Sequence, residues 1–218
     1  MIAVVDYQKG NLKSVERGLI AAGGEALITA DASEIAKADA IVLPGVGAFA
    51  DAAATMCELG QMEAIRDRVR AGVPFLGICL GEHLMFEHGV EGAPEGNPAC
   101  GLGLLPGTVV AMPRCDAQGK AFKVPHVGWN TVEMPACNGG AFACPLFDGI
   151  APGEYFYFTH SYIAPTGSHT IAETTHSTRF TSAVQFGERA FGVQFHPEKS
   201  SDAGARVLAN FVAIAARG

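Results

Sequence analysis

The chain has 218 residues, of which 49% are hydrophobic and 17% charged, the profile of a folded globular protein with ample material for a core. A net charge of −7, from 15 Lys+Arg against 22 Asp+Glu, supplies no broad basic face to neutralise phosphates, which argues against nucleic acid and anionic membranes and for a small substrate or a protein partner. Asp39, Asp51 and Asn210 interrupt the richest apolar stretches, so no segment is expected to span a membrane, and Met1-Ile2-Ala3-Val4-Val5-Asp6 lacks the basic start and longer apolar run of a secretory leader; the expected compartment is the cytoplasm.

In the first 90 residues short Val/Ile/Leu runs alternate with Ala-rich helical patterns, each switch marked by Gly, Pro or Asp. Strands are predicted near 2–6, 25–29, 40–43 and 75–78, nearly continuous in apolar residues, as suits strands covered on both faces. Helices are predicted near 11–22, 50–57 and 61–71; in the first, Leu12, Val15, Leu19 and Ala22 form one buried stripe, with Lys13, Glu16 and Arg17 on the other side. From about residue 100 the pattern changes to strand-like pieces at 107–112, 121–124, 154–158, 170–174, 181–186 and 190–195, then a helix near 201–216. Gly, Pro, Asn and Cys cluster at 89–101 and 134–145, the loop candidates, and no linker is long enough to divide the chain. The expectation is a single α/β domain over 1–218, with a central, mostly parallel sheet, helices on both faces and antiparallel additions to the same sheet.

Six cysteines (Cys57, Cys79, Cys100, Cys115, Cys137, Cys144) show no C-x-x-C pair, which argues for reduced thiols rather than a disulfide framework or zinc site. One of them stands in a distinctive setting. Pro74-Phe75-Leu76-Gly77-Ile78-Cys79-Leu80-Gly81-Glu82-His83-Leu84-Met85-Phe86 is an apolar strand running into Gly-x-Cys-x-Gly and then a helical pattern. This is a nucleophile elbow with Cys in place of Ser: the turn exposes the reactive atom, the glycines remove colliding side chains, and unpaired N–H groups and the helix dipole favour a thiolate and later an oxyanion. A buried Cys in a tight turn would read the same by itself, so a partner decides. Phe191-Gly192-Val193-Gln194-Phe195-His196-Pro197-Glu198-Lys199-Ser200 offers one, because in an extended segment His196 and Glu198 fall on the same side, where a carboxylate can orient an imidazole base. A third piece, Leu43-Pro44-Gly45-Val46-Gly47-Ala48-Phe49, has glycines at alternate positions but neither a complete G-x-G-x-x-G nor a phosphate-loop Lys. A second source of oxyanion donors is its better use.

Together these motifs resemble the class I (triad) glutamine amidotransferases, which hydrolyse glutamine and pass ammonia to a second active site. Lys123-Val124-Pro125-His126-Val127-Gly128-Trp129-Asn130, Tyr157-Phe158-Thr159-His160-Ser161-Tyr162 and His196-Pro197-Glu198-Lys199-Ser200 are similar to the glutaminase subunits of imidazole glycerol phosphate synthase, and the likeness runs along essentially the whole chain. It implies a flavodoxin-like sheet, no cofactor and no metal. By resemblance, Cys79 is the nucleophile, His196 the base and then acid, and Glu198 the orienting carboxylate. The N–H groups of Leu80 and Val46 serve the oxyanion, while Gly45, Gly47, His83, Ser161 and Tyr162 line the glutamine site. Trp129, Asn130 and Lys199 lie toward the partner, a separate (β/α)8-barrel cyclase that uses the ammonia to make imidazole glycerol phosphate and an aminoimidazole carboxamide ribotide in histidine biosynthesis. A free-standing γ-glutamyl hydrolase and a binding module with a relic site are the rival readings.

One departure from the family pattern stands out: Glu82-His83 replaces a residue followed by Gln after Gly-x-Cys-x-Gly. Imidazole still offers a donor and an acceptor, so His83 is expected to contact glutamine and, with an ordinary pKa of roughly 6.5, to change binding below neutrality. Glu82 is expected to point about 100° away, toward the rim or the partner. Metal ligation by His83, Glu87 and His88 needs a third ligand on one helical face, which the spacing does not supply. His169 and His176 read as solvated residues.

Overall fold

The apolar runs of the first half become strands buried on both sides. The computed structural model describes residues 1–135, 142 and 144–217; the loop expected at 134–145, and Cys137 with it, lies mostly outside the described residues. The first half runs β1 (Ile2–Val5), α1 (Leu12–Ala21), β2 (Ala26–Thr29), α2 (Ala32–Ile35), β3 (Ala40–Gly45), α3 (Phe49–Glu58), α4 (Gln61–Arg70), β4 (Phe75–Cys79) and α5 (Leu80–His83). The second half adds β5 (Phe86–Gly89), β6 (Ala99–Cys100), β7 (Leu105–Ala111), β8 (His126–Val132), β9 (Glu154–His160), β10 (Tyr162–Ile163), β11 (Thr170–Thr175), β12 (Arg179–Phe186), β13 (Ala190–Val193) and α6 (Ser201–Ala215).

The main sheet has the order β11-β12-β13-β4-β3-β1-β2. Its run from β13 to β2 is parallel, and β12 and β11 extend it antiparallel. Successive side chains of a strand point to opposite faces, so each strand feeds two cores. Val4, Val42, Leu76 and Ile78 pack with Val15 and Leu19 of α1 and Val207, Leu208 and Phe211 of α6. Ala3, Val5, Ile41, Leu43 and Phe75 pack with Ile35, Met56, Ile65 and Val69 of α2, α3 and α4. This is the sandwich that helical crossovers impose on a parallel sheet.

Several expectations need correction. The antiparallel additions do not all join the main sheet: β5, β6, β7 and β10 form a second sheet and β8–β9 a third. The 190–195 piece is no antiparallel addition at β4; β13 lies parallel to β4, with Gly192 opposite Gly77 and Val193 opposite Ile78. The strand expected at 121–124 reduces to a single bridge from Ala121 to Cys115. The real strand follows it, from His126 to Val132, in full antiparallel register with β9. Pro125 and Gly128 read as breakers there, but the proline only precedes the strand, and Gly128 takes φ +137° within it. The helix expected after Cys79 lasts four residues, and Phe86–Gly89 turns back as a strand parallel to β7. Gly89 fits there because a Cβ would collide with the Phe49 ring.

Close approach of α5 to the sheet rests on glycine. A Cβ at Gly81 would fall into the Leu43 carbonyl of β3, and one at Gly77 would strike the Gly81 backbone, so backbone rather than a movable side chain is the obstacle. Gly81→Ala is therefore expected to cost about 3 kcal/mol or more of stability, measured by denaturant unfolding; a loss below about 1 kcal/mol would show that α5 can lift off the sheet cheaply.

Candidate active site

Cys79 ends β4 and begins the turn into α5. Its backbone adopts φ +55° and ψ −106°, a region that L-residues avoid and that persists only when the surroundings impose it. The side chain is 7% exposed. Its sulphur lies 3.9 Å from the Thr159 carbonyl, to which the S–H donates, and 3.7 Å from Gln194 Nε2, which donates to it.

The β13–β4 pairing delivers the His-Pro-Glu segment to the same place. The segment is not extended as expected: Pro197–Lys199 forms a 3-10 turn with His196 at its cap, and the turn itself sets Glu198 Oε1 2.9 Å from His196 Nδ1. The turn is held by β9, since His196 N–H donates to the Tyr157 carbonyl. Ser200, fully buried, accepts from Tyr157 N–H and donates to the His196 carbonyl at 2.6 Å. With Nδ1–H given to Glu198, Nε2 is the free nitrogen of the ring, and it has no other hydrogen-bond partner. Burial pulls the His196 pKa down, but Cys79 on one side and Glu198 on the other outweigh it and lift the value to about 9.

A cavity of about 380 Å³ opens beside the sulphur. Among the residues expected there, Val46, Gly47, Cys79, Leu80, His83, Ser161 and Tyr162 line it. Gly45 does not; it lies behind, opposite Cys79 in the β3–β4 register, where a side chain would strike the buried Tyr7 hydroxyl. Sequence reasoning missed Glu91, Pro125 and Thr159 in the lining, and Tyr7 beneath it. Burial, and then charge at Cys79, raises the pKa of the Tyr7 phenol. Burial raises that of Glu91. No motif marked Tyr7 or Glu91, which come in singly; Pro125 and Thr159 lie inside the Lys123–Asn130 and Tyr157–Tyr162 motifs, where roles fell only to their neighbours.

His83 is buried at 3% exposure, and its Nε2 lies 2.7 Å from Gln194 Oε1. Burial depresses its pKa to about 4 despite that hydrogen bond, so the ring stays neutral through the range near the ordinary value of roughly 6.5 in which titration was expected. Glu82 does not face the rim or a partner. It is fully buried against Gly192 of β13, neither carboxylate oxygen has a hydrogen-bond partner, and burial followed by charge at Cys79 raises its pKa well above the ordinary range. The shortness of α5 explains both: the turn lies flat on the sheet, leaving no outer face. Glu87 and His88 stand on β5, not on a helix.

His169 and His176, expected to be solvated, are half-buried, while His126 and His160 are buried and linked to each other. His160 Nδ1–H donates to the Tyr162 carbonyl at 2.8 Å, leaving its Nε2 to accept from His126 Nδ1–H at 3.0 Å. His126 Nε2 in turn accepts from Asn130 Nδ2, 3.2 Å away, and the same amide donates to the Thr175 carbonyl. The tautomers in this chain follow from its end at a carbonyl, which only accepts. Burial, then neighbouring histidine charge, brings His126 to about 4; burial is also the main cause that brings His160 to about 3, so both rings are neutral. His176 stacks on His126 with centroids 4.3 Å apart, and His169 sits edge-on to Phe86. Asn130, expected at the partner interface, thus spends its amide inside the molecule, whereas Trp129 on the opposite face of β8 is 52% exposed. Lys199 joins Trp129 there, both against Tyr157.

Comparison with known proteins assigns the class. The family model of class-I glutamine amidotransferases matches residues 3–215, and the chain belongs to that family. A solved glutamine amidotransferase structure shares the fold, with a TM-score of 0.70 at 20% identity, covering 99% of this chain and 98% of that one. Two relatives are the "Imidazole glycerol phosphate synthase subunit HisH" of Moorella thermoacetica, 46% identical over 96% of this chain and 93% of its own, and that of Syntrophotalea carbinolica, 40% identical over 97% and 98%. Within its class, the chain therefore belongs to the HisH family of imidazole glycerol phosphate synthase glutaminase subunits.

The buried, unpartnered Glu82 carboxyl has a thermodynamic signature. A carboxyl whose folded pKa is raised is favourable while protonated, below its ordinary value, and destabilises the fold increasingly as pH rises toward the folded pKa. Glu82→Met should remove that penalty and stabilise the fold by about 1–3 kcal/mol, with the gain growing from acid to alkaline pH in denaturant titrations; a gain independent of pH would mean the carboxyl is not the cause.

Proposed function

We propose that this chain hydrolyses L-glutamine to L-glutamate and ammonia through Cys79, His196 and Glu198, and that the ammonia passes to a separate (β/α)8-barrel cyclase in histidine biosynthesis. The observation that carries the reading is the convergence of a strained, nearly buried cysteine with an imidazole whose far nitrogen is held by a carboxylate. His196 with a pKa raised to about 9 stands as imidazolium at neutral pH and favours the thiolate form of the neighbouring Cys79 as nucleophile. The thiolate attacks the carboxamide carbon. The C–O double-bond electrons move to oxygen, and the tetrahedral oxyanion is met by the N–H of Leu80 and, from the 45–47 loop, that of Val46. Collapse breaks the C–N bond as His196 Nε2–H protonates the departing nitrogen, giving ammonia and a γ-glutamyl thioester. Neutral His196 then takes a proton from water, whose oxygen attacks the thioester and releases glutamate and the thiolate.

The cavity suits an amino acid. Glu91 in its lining offers the α-ammonium an opposite charge, and Ser161 and Tyr162 line it with hydroxyl-bearing side chains. Trp129 and Lys199 are the exposed groups assigned to the cyclase. No helix among the described residues is long and apolar enough to cross a membrane, in keeping with a cytoplasmic site of action. No cofactor or metal enters these steps.

Cys79→Ser should lower glutamine-dependent synthesis in the complex by at least about 10³-fold, because an alcohol is a far weaker nucleophile than a prepared thiolate, while synthesis from free ammonium persists. Glutamine-dependent turnover surviving in this variant would refute the assignment. Glu198→Gln should cost less than His196→Ala and should lower the pH at which the imidazolium–thiolate pair is lost from about 9, since removing the carboxylate withdraws one of the two influences that raise it. An unshifted alkaline limb would remove Glu198 from the triad.

Engagement of the cyclase should accelerate glutamine hydrolysis, and Trp129→Ala should weaken that stimulation by about tenfold while leaving the slow turnover of the isolated chain within about twofold, an energy typical of an exposed interface aromatic. The check is glutamate release with and without the cyclase and its nucleotide ligand. An isolated chain as fast as the complex would defeat the coupling.

A further inference from the structure

We infer that His83 is a positioning residue for the nucleophile: it fixes the side-chain amide of Gln194 so that the amide's N–H points at the Cys79 sulphur. The inference rests on the reading of Cys79 as nucleophile. Gln194 follows β13 and stands two residues before His196, so both side chains leave the backbone on the side of Cys79. Its amide is fully buried and has two side-chain partners, His83 Nε2 at 2.7 Å from Oε1 and Cys79 Sγ at 3.7 Å from Nε2. The other neighbour of the sulphur, the Thr159 carbonyl, can only accept and so suits the thiol. The Gln194 N–H can only donate to sulphur and so suits the thiolate.

Which end of the amide meets the sulphur depends on His83. With its pKa pressed to about 4 by burial, the ring is neutral and carries one N–H. With that proton on Nε2, the ring donates to Oε1 and turns the amide N–H toward Cys79. With the proton on Nδ1, Nε2 becomes an acceptor, the amide reverses, and Oε1 would face the sulphur and oppose its ionisation. A residue at position 83 without a donor leaves the amide orientation undetermined. The replacement that distinguishes this chain from its family's Gly-x-Cys-x-Gly-x-Gln pattern therefore bears on the nucleophile as well as on the cavity that His83 lines.

The test measures the pH dependence of Cys79 alkylation by iodoacetamide in the full chain, followed on its own peptide by mass spectrometry because Cys57, Cys100 and Cys115 are free and more exposed than Cys79. Glutamine kcat and KM are measured in the cyclase complex. For His83→Leu and Gln194→Met, which remove the donor or the amide at similar volume, the alkylation midpoint should rise by about one pH unit, a tenfold smaller thiolate fraction at pH values below the native midpoint. Measured below the native midpoint, kcat should fall by a similar factor, with KM within about twofold. His83→Gln should restore the native midpoint, because its amide can donate to Oε1. If His83→Leu fails to fold, Gln194→Met and His83→Gln still decide the matter. A raised KM with an unmoved midpoint would make His83 a substrate contact only and overturn the inference, as would an unmoved midpoint in Gln194→Met. Glutamine turnover surviving complete alkylation of Cys79 would overturn the nucleophile assignment itself, and this role with it.

Discussion

The parallel pairing of β13 with β4 is the constraint on which the site depends. Val193 lies opposite Ile78, so the two chains leave the sheet side by side, one at Cys79 and the other toward Gln194 and His196. Parallel neighbours end at the same edge of a sheet, and in open α/β sheets that edge is where reactive groups gather. An antiparallel β13 would have carried His196 to the opposite edge. The main-chain ladder thus brings together residues more than a hundred positions apart without using any side chain that the chemistry needs.

Space for this arrangement comes from missing side chains. Gly77 and Gly192 face each other across the ladder, and the α5 turn lies on the floor they leave, with Gly81 against the Leu43 carbonyl. Cys79 is forced to positive φ on top of it. The same closeness buries Glu82 and His83, which a longer helix would have carried outward. Glycine therefore acts at two levels, permitting the contact at the sheet and, through it, setting the low-dielectric surroundings of the nucleophile.

Those surroundings sort the histidines by partner. His83, His126 and His160 are buried with amide, carbonyl or imidazole neighbours, none of which repays the desolvation of a positive charge, and all three are held neutral. His196 is equally hidden but has Glu198 on one side and Cys79 on the other, and its pKa rises. Burial alone lowers an imidazole; burial with opposite charge raises it. The β8–β9 ribbon divides its labour by strand alternation, directing His126 and Asn130 inward, toward His160 and the Thr175 carbonyl, and Val127 and Trp129 outward, more than half exposed.

Local pattern was enough for β1 to β4 and for α1, α3 and α4, though not for the short α2, and it was enough for Cys79 at a Gly-flanked strand end and for the His196–Glu198 pair, because apolar period, glycine placement and nearness in sequence are all properties of a short window. The 126–132 strand escaped that window because Pro125 and Gly128 read as breakers until β9 supplied hydrogen bonds to its whole length. The site residues brought in singly, Tyr7 and Glu91 among them, carry no signal of their own. Glu82 and His83 were misjudged for a related reason: a helical wheel assigns directions only to a helix that continues, and α5 stops after one turn to let β5 begin. Residue identity determined what Cys79, His196, Glu198 and His83 are able to do. Which strand lies beside β4, which groups lose water, and hence which imidazole is charged depend on non-local contacts and burial, and those only the tertiary structure decided.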